Sequence, residues 1–188
     1  MQDAAQDADS RRVQKDGVMA GPVPFFSGSF SASASAVTDL MPGDVAVGNV
    51  GEQFKTLLGS CVSVILTDPK RTVGGMCHIV HVGAPNQENR HNTAYGVAAM
   101  HAMFTGLRAR GIDPRQCQAY VYGGGNMFPQ LFREQHVGAS NVDWVSHYLD
   151  HHAIGVLHHD VGGNGYRKVS WTVGPQDPVV ETIFQGKV

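Results

Sequence analysis

The sequence lacks several features that would assign it to a common functional class. Its 188 residues contain three cysteines, an odd and irregularly spaced set that argues against a disulfide framework and favours a reduced, cytoplasmic protein. No apolar run approaches the ~20 residues of a membrane span, so direct membrane insertion is not expected. The net charge is −2 and the Lys and Arg residues are scattered, which excludes a basic surface for nucleic acid.

The beginning of the chain differs in composition from the rest. It opens with MQDAAQDADSRRVQKD, which has neither the basic start nor the apolar stretch of a secretory signal, and it ends in SGSFSASASA. A segment rich in Ala, Asp, Gln and Ser has little apolar surface to bury, so residues 1–36 are predicted to be a disordered tail. Residues 37–188 are long enough to form one domain with a full core.

From Val37 onward, apolar residues recur with regular spacing. Alternating or continuous apolar runs predict strands over 44–50, 54–58, 61–67, 72–81, 118–122, 155–161, 167–173 and 178–184. Helical spacing predicts helices over 95–111 and 140–152, the second capped by Ser140 with Asp143 completing a capping box. The fold class expected is a mixed α/β domain of the α+β type, with two main helices.

The two strands that flank DPKR (68–71) carry a cysteine and a histidine. If they form a hairpin centred between Pro69 and Lys70, then Cys61 stands directly opposite His78 on a mixed face, while the other face is wholly apolar. A cysteine facing a histidine is a nucleophile–base arrangement, in which a nearby imidazolium would lower the thiol pKa. A buried cysteine beside a structural histidine remains the alternative.

Other chemistry-bearing residues have simpler interpretations. Cys77, next to His78 in sequence, points to the opposite strand face and is expected in the core, as is Cys117. The glycines at 123–125 match no phosphate-binding motif, and the histidines match no zinc spacing, so no cofactor or metal is expected. Arg167 is expected to be a solvated charge at the start of a strand.

Five blocks in sequence order resemble the CheD family of chemoreceptor glutamine deamidases. They read TLLGSCVSV (56–64), GGMCH (74–78), GGGNMF (123–128), VGASNV (137–142) and VGGNGYRKV (161–169). The resemblance as a whole covers residues 38–184. The resemblance implies packed, mostly antiparallel β-sheets with helices on one side, as in the cytotoxic necrotizing factor deamidase toxins. It also implies an enzyme that converts receptor glutamine side chains to glutamate through a cysteine thioester and releases ammonia.

The resemblance assigns roles to particular residues. It implies a Cys–His–Thr triad of Cys61, His78 and Thr56, without a cofactor. Gly59 and Ser60 precede the cysteine in a bend, where backbone N–H groups are candidates for binding an oxyanion or lining the substrate groove. The implied partners are the cytoplasmic helices of methyl-accepting chemotaxis receptors and, in some organisms, a CheC-type phosphatase. The alternatives are another thiol enzyme, such as a protease, amidase or transglutaminase, or a non-catalytic chemotaxis adaptor.

Overall fold

A computed structural model describes residues 37–83, 85–132 and 135–184, so the tail expected over 1–36 lies outside the described residues. The strands are β1 (Val37–Asp39), β2 (Val45–Asn49), β3 (Gln53–Leu58), β4 (Val62–Thr67), β5 (Val73–Ile79), β6 (Gln118–Gly123), β7 (Val156–Val161), β8 (Gly165–Thr172) and β9 (Val179–Phe184). The α-helices are α1 (Gly96–Arg108) and α2 (Val137–His151), and a short 3₁₀ helix covers Pro114–Gln116. The eight predicted strands correspond to β2–β9. Within these ranges, no helix is both long and apolar enough to cross a membrane.

The strands form two sheets. The four-stranded sheet has the order β1-β3-β8-β9, and the five-stranded sheet has the order β2-β5-β4-β6-β7. Only the β1–β3 and β6–β7 pairs among the described strands are parallel. The expected α+β class with mixed, mostly antiparallel sheets and two main helices is confirmed.

The five-stranded sheet is buried on both faces. One face, which includes Val64 and Cys77, packs against α1 and α2, and the other, which includes Ile65 and Met76, packs against the inner face of the four-stranded sheet. Every residue of β4 and β5 is therefore buried. Apolar and polar residues do not simply alternate along these strands, because a sheet covered on both sides needs apolar residues at successive positions.

The β4–β5 hairpin keeps the predicted faces but not the predicted register. His78 stands opposite Ser63, not Cys61, so the register predicted from a symmetric DPKR turn is wrong by two residues. The cause is Asp68, whose carboxylate accepts hydrogen bonds from the backbone N–H groups of Lys70, Thr72 and Val73. These bonds move the centre of the loop one residue toward the C-terminus. A shift of two in the pairing preserves side-chain parity, so every residue stays on its predicted face.

Helix α2 begins three residues earlier than predicted. Its N-cap is His136, whose Nδ1 accepts a hydrogen bond from the backbone N–H of Ala139 at 3.2 Å. The expected capping box of Ser140 and Asp143 is therefore wrong, because both residues lie inside the helix. The earlier start brings Gly138 against the backbone of Gly124, so that a Cβ on either glycine would overlap the other segment. Helix α2 is thereby seated against the loop that follows β6.

Candidate active site

Thr56 and His78 meet across the gap between the two sheets. Thr56 lies on the inner face of β3, His78 on the facing side of β5, and both are buried. The Thr56 hydroxyl donates to the carbonyl oxygen of Leu40 at 2.7 Å and lies 2.8 Å from His78 Nδ1. Since the hydroxyl has one proton and the carbonyl cannot donate, His78 Nδ1–H donates to Thr56 Oγ1. This fixes the tautomer of the neutral ring and leaves Nε2 as the basic nitrogen.

Cys61 occupies a bend between β3 and β4 that is held at every carbonyl. The carbonyl of Gly59 accepts from Gly125 N–H, and that of Cys61 accepts from Gly124 N–H, both at 2.8 Å. The carbonyl between them, on Ser60, accepts from the Asn141 side chain at 3.0 Å. The N–H groups of Ser60 and Cys61 donate to no acceptor within the described residues. The bend therefore presents free backbone donors beside the thiol.

The glycines after β6 are required by this bend. Gly123 has φ +108° and Gly124 has φ +67°, a backbone region that favours glycine. A Cβ on Gly123 would overlap the carbonyl oxygen of Cys61. The block at 123–125 is thus a close-approach segment that supports the cysteine.

Cys61 and His78 share one face of the five-stranded sheet. Cys61 lies two residues before Ser63, the cross-strand neighbour of His78, and packs, half-buried, at the edge of the core between the sheets. The described hydrogen bonds of the His78 ring all run through Nδ1, to Thr56 and Leu40. Cys61 lies one residue before the start of β4, and no hydrogen bond joins its thiol to the imidazole within the described residues.

The electrostatics favour a neutral pair. Burial raises the pKa of the Cys61 thiol above its ordinary value. Burial also lowers the pKa of His78, an effect opposed by the Leu40 carbonyl and by the charge of Asp44. Both shifts favour the uncharged forms, the thiol and the neutral imidazole, which is the direction opposite to the expected lowering of the thiol pKa by an imidazolium.

A groove of about 620 Å³ opens beside the cysteine loop. Its lining includes Ser60, Tyr166, His81 and His136. On the same side, Phe128 and Val137 leave more than half of their surface exposed. Exposed aromatic and aliphatic side chains around a concave surface are typical of a binding site. The groove is therefore suited to a ligand that brings apolar surface to the Cys61 loop.

The remaining sequence predictions have mixed outcomes. Cys77 and Cys117 are core residues as predicted, and burial raises the pKa of each thiol to about 12. Arg167 is not a solvated charge: its side chain is only 5% exposed and pairs with Asp160 at 2.8 Å. Its Nε and Nη1 groups have no partner among the described residues.

Sequence reasoning missed Asn141. This residue is buried on α2, where its amide contacts the loop that carries Cys61. The block VGASNV (137–142) was the only signal for it. No cluster of three or more His, Cys, Asp or Glu residues in the described ranges is arranged to hold a metal ion.

A family model and related sequences point to the same family. A family model described as CheD chemotactic sensory transduction matches residues 81–181. A protein named probable chemoreceptor glutamine deamidase CheD 2 from Albidiferax ferrireducens is 35% identical over 142 residues, covering 73% of this chain and 82% of the relative. A protein of the same name from Shewanella oneidensis is 33% identical over 156 residues, covering 78% of this chain and 74% of the relative.

Among solved structures, a crystal structure of a Neisseria meningitidis protein is similar, with a TM-score of 0.44, 12% identity and coverage of 74% of this chain and 76% of that one. The family match begins three residues after His78, while the alignments with the two relatives extend over most of the chain. On its sequence, this chain belongs to the CheD family.

Proposed function

We propose that this protein deamidates specific glutamine side chains of methyl-accepting chemotaxis receptors, with Cys61 as nucleophile, His78 as general base and acid, and Thr56 as the residue that orients His78. Family membership and the names of the relatives support the reaction. The observation that carries the residue assignment is the Thr56–His78 hydrogen bond, because it leaves Nε2 unprotonated on the sheet face that also carries Cys61.

The first half of the reaction forms a thioester. His78 Nε2 accepts the proton of the Cys61 thiol as the sulfur attacks the carboxamide carbon of the glutamine side chain. The resulting tetrahedral intermediate carries a negative oxygen. The C–N bond then breaks, His78 gives its proton to the leaving nitrogen, and ammonia departs. Because both groups begin neutral, the thiolate is generated only as the substrate is attacked.

The second half hydrolyses the thioester. His78, neutral again, accepts a proton from water as the water oxygen attacks the thioester carbon. The C–S bond breaks, and Cys61 recovers its proton from His78. The product acid gives its proton to the released ammonia, so the net change is glutamine plus water to glutamate plus ammonium.

The bend before Cys61 supplies the charge stabilisation that this chemistry needs. The N–H groups of Ser60 and Cys61 are free of other acceptors in the described part of the chain, and the carbonyls around them are anchored. Fixed backbone donors stabilise a tetrahedral oxyanion without reorganising during the reaction. Gly59 packs against Met127 and Tyr166, which keeps this bend in contact with the groove.

The substrate proposed is a cytoplasmic helix of a receptor, and the reaction then takes place in the cytoplasm. A helix laid on the groove beside Ser60 would project a glutamine side chain toward Cys61, while its apolar residues contact Phe128 and Val137. No cofactor is needed for any step.

The test is mass spectrometry on a purified cytoplasmic receptor fragment from the same organism. The fragment is incubated with the wild type, Cys61→Ala or His78→Ala, then digested and mapped for glutamine-to-glutamate conversion. Matched controls are Cys117→Ala, a second buried cysteine, and His101→Ala, on the exposed face of α1. Conversion by the wild type and both controls, but not by the two site variants, is the expected result. No conversion by the wild type would overturn the proposal.

The same experiment separates the alternatives. A cleaved or cross-linked receptor would identify a protease or a transglutaminase. A non-catalytic adaptor, which binds receptors or a CheC-type phosphatase, would keep its binding in Cys61→Ala and convert nothing in the wild type. The exposed apolar residues around the groove, such as Phe128, are the feature that favours this second candidate. This retained binding is measured by pull-down of the receptor fragment and of a CheC-type protein with the wild type and with Cys61→Ala.

A further inference from the structure

Asn141 ties together the two strand ends that carry the candidate reactive groups. It lies on α2 and is 1% exposed. Its side-chain nitrogen is 3.0 Å from the carbonyl oxygen of Ser60 and 3.2 Å from that of Val80. Ser60 directly precedes Cys61, and Val80 follows His78 by two residues. A primary amide has two N–H donors, so one side chain can hold both carbonyls at once.

The contact with Ser60 also sets the direction of the next N–H group. In a trans peptide, the carbonyl and the following N–H point in opposite directions, and the described chain has no cis peptide bond. Fixing the Ser60 carbonyl on α2 therefore turns the Cys61 N–H away from the helix. That N–H donates to no acceptor in the ranges that the structure describes, as expected of a group kept for a substrate oxygen.

The position of Asn141 depends on the packing of α2. Gly138, one turn earlier, lies against the Gly124 backbone, and Gly124 in turn holds the carbonyl of Cys61. The helix thus reaches the Cys61 bend directly through Asn141 and indirectly through the glycine loop. Because Gly124 and Gly125 already anchor the carbonyls of Cys61 and Gly59, the peptide between Ser60 and Cys61 is the one that depends on Asn141.

We propose that Asn141 is a positioning residue that fixes the Cys61 amide as an oxyanion donor. The inference rests on the proposed deamidase function. It assigns to Asn141 an effect on the tetrahedral intermediate and none on the nucleophilicity of the thiol or on substrate binding. Asn141→Asp keeps the shape but replaces the donor amide with a carboxylate, and Asn141→Ala removes the group without adding charge.

The experiment compares two reactions of the same sulfur. Deamidation of the receptor fragment builds an oxyanion, whereas alkylation by iodoacetamide forms a C–S bond as the C–I bond breaks and builds none. Loss of an oxyanion donor costs about 10²–10³ in kcat, so misorienting it should lower kcat at least about tenfold in both variants. In Asn141→Ala, the alkylation rate of Cys61 and the Kd for the receptor fragment should stay at wild-type values. Asn141→Asp also adds a charge near the thiol, so this variant is compared by kcat alone. Asn49→Asp is the matched control, since Asn49 is exposed and pairs with Val73 at the other end of the sheet.

Each other outcome has a distinct meaning. Wild-type kcat in both Asn141 variants would overturn the inference while leaving the deamidase proposal intact. An equal fall in kcat and in alkylation rate in Asn141→Ala would show that Asn141 acts on the thiol or on the fold, which also overturns the inference. Loss of the folded circular dichroism spectrum in both variants would assign the residue to folding instead. Absence of conversion by the wild type would refute the deamidase function itself.

Discussion

Replacing Thr56 by valine tests the orientation of His78 most directly. Valine has nearly the same shape and suits a strand, so the change removes the hydroxyl and little else. The hydroxyl makes two buried hydrogen bonds, of 2.7 Å to Leu40 and 2.8 Å to His78. A buried polar group that loses its partner costs about 1–3 kcal/mol. Here His78 Nδ1 also lies 3.4 Å from the Leu40 carbonyl, so the two groups left behind partly satisfy each other.

This residual contact places the expected cost in the lower part of the range, at about 1–2 kcal/mol. If the same amount is lost from the transition state, kcat falls about 5–30-fold, since 1.36 kcal/mol is a factor of ten. The Tm should fall by about 2–4 °C for each kcal/mol in a domain of this size. The assay is initial-rate deamidation of a saturating receptor fragment, followed by mass spectrometry, with thermal unfolding in parallel.

Two variants control the Thr56 experiment. Thr56→Ser keeps the hydroxyl and should retain most of the activity, which separates the hydrogen bond from the methyl group. Thr172→Val makes the same chemical change on an exposed strand position and should leave the rate unchanged. A Thr56→Val protein with the wild-type kcat and a lowered Tm would refute the reasoning, because it would show that the His78 ring keeps its orientation without the threonine.

Three further predictions follow from buried groups. The alkylation rate of Cys61 should rise with pH only in the alkaline range, because burial raises the pKa of its thiol, and an inflection near neutral pH would refute this reasoning. Ser63→Ala should raise the free energy of unfolding by about 1 kcal/mol in denaturant titrations, because the Ser63 hydroxyl is buried without a partner among the described residues. A lower free energy of unfolding in this variant would contradict the prediction. Asp160→Asn should lower that free energy by about 1–3 kcal/mol at neutral pH by leaving the buried Arg167 unpaired, a figure reduced for the partial exposure of Asp160. The hydrogen bond from Arg167 lowers the pKa of Asp160. The stabilisation of the wild type by this pair should therefore be lost as the pH falls below about 4 and approaches the lowered pKa of the folded state. If the stability of Asp160→Asn fell equally with acid, the pairing would be refuted.

The sequence predicts what depends on local periodicity. Strand alternation assigns Cys77 and His78 to opposite faces, and this holds because a register shift of two leaves parity unchanged. The register itself depends on Asp68, whose side chain reorganises the turn through hydrogen bonds to the backbone that no hydrophobic pattern encodes. The start of α2 was misplaced for a similar reason, because histidine is not among the preferred N-cap residues.

Contacts between the sheets are harder to obtain from the sequence. Thr56 and His78 lie on different sheets, so their spacing along the chain carries no information about their meeting, and only the family resemblance joined them. Arg167 is a different case, because the alternation of apolar residues along its strand indicates where its side chain lies. It alternates with Val169 and Trp171, which are buried, so period two already placed Arg167 on the inner face. The charge of Arg167 favoured a solvent-exposed position, but the ion pair with Asp160 compensates part of that charge in the buried position.

The register of the five-stranded sheet aligns the candidate site with this buried ion pair. Direct cross-strand pairing forms a row across four strands on the inner face, made of His78, Ser63, Tyr122 and Asp160. The four-stranded sheet contacts one end of this row through Thr56 and the other through Arg167. Each of these polar contacts requires a particular alignment of the two sheets, because hydrogen bonds and ion pairs depend on short distances. A slip would leave a buried guanidinium and a buried imidazole without partners, at a cost of several kcal/mol. The ion pair distant from the cysteine therefore helps to hold the Thr56–His78 geometry on which the proposed chemistry depends.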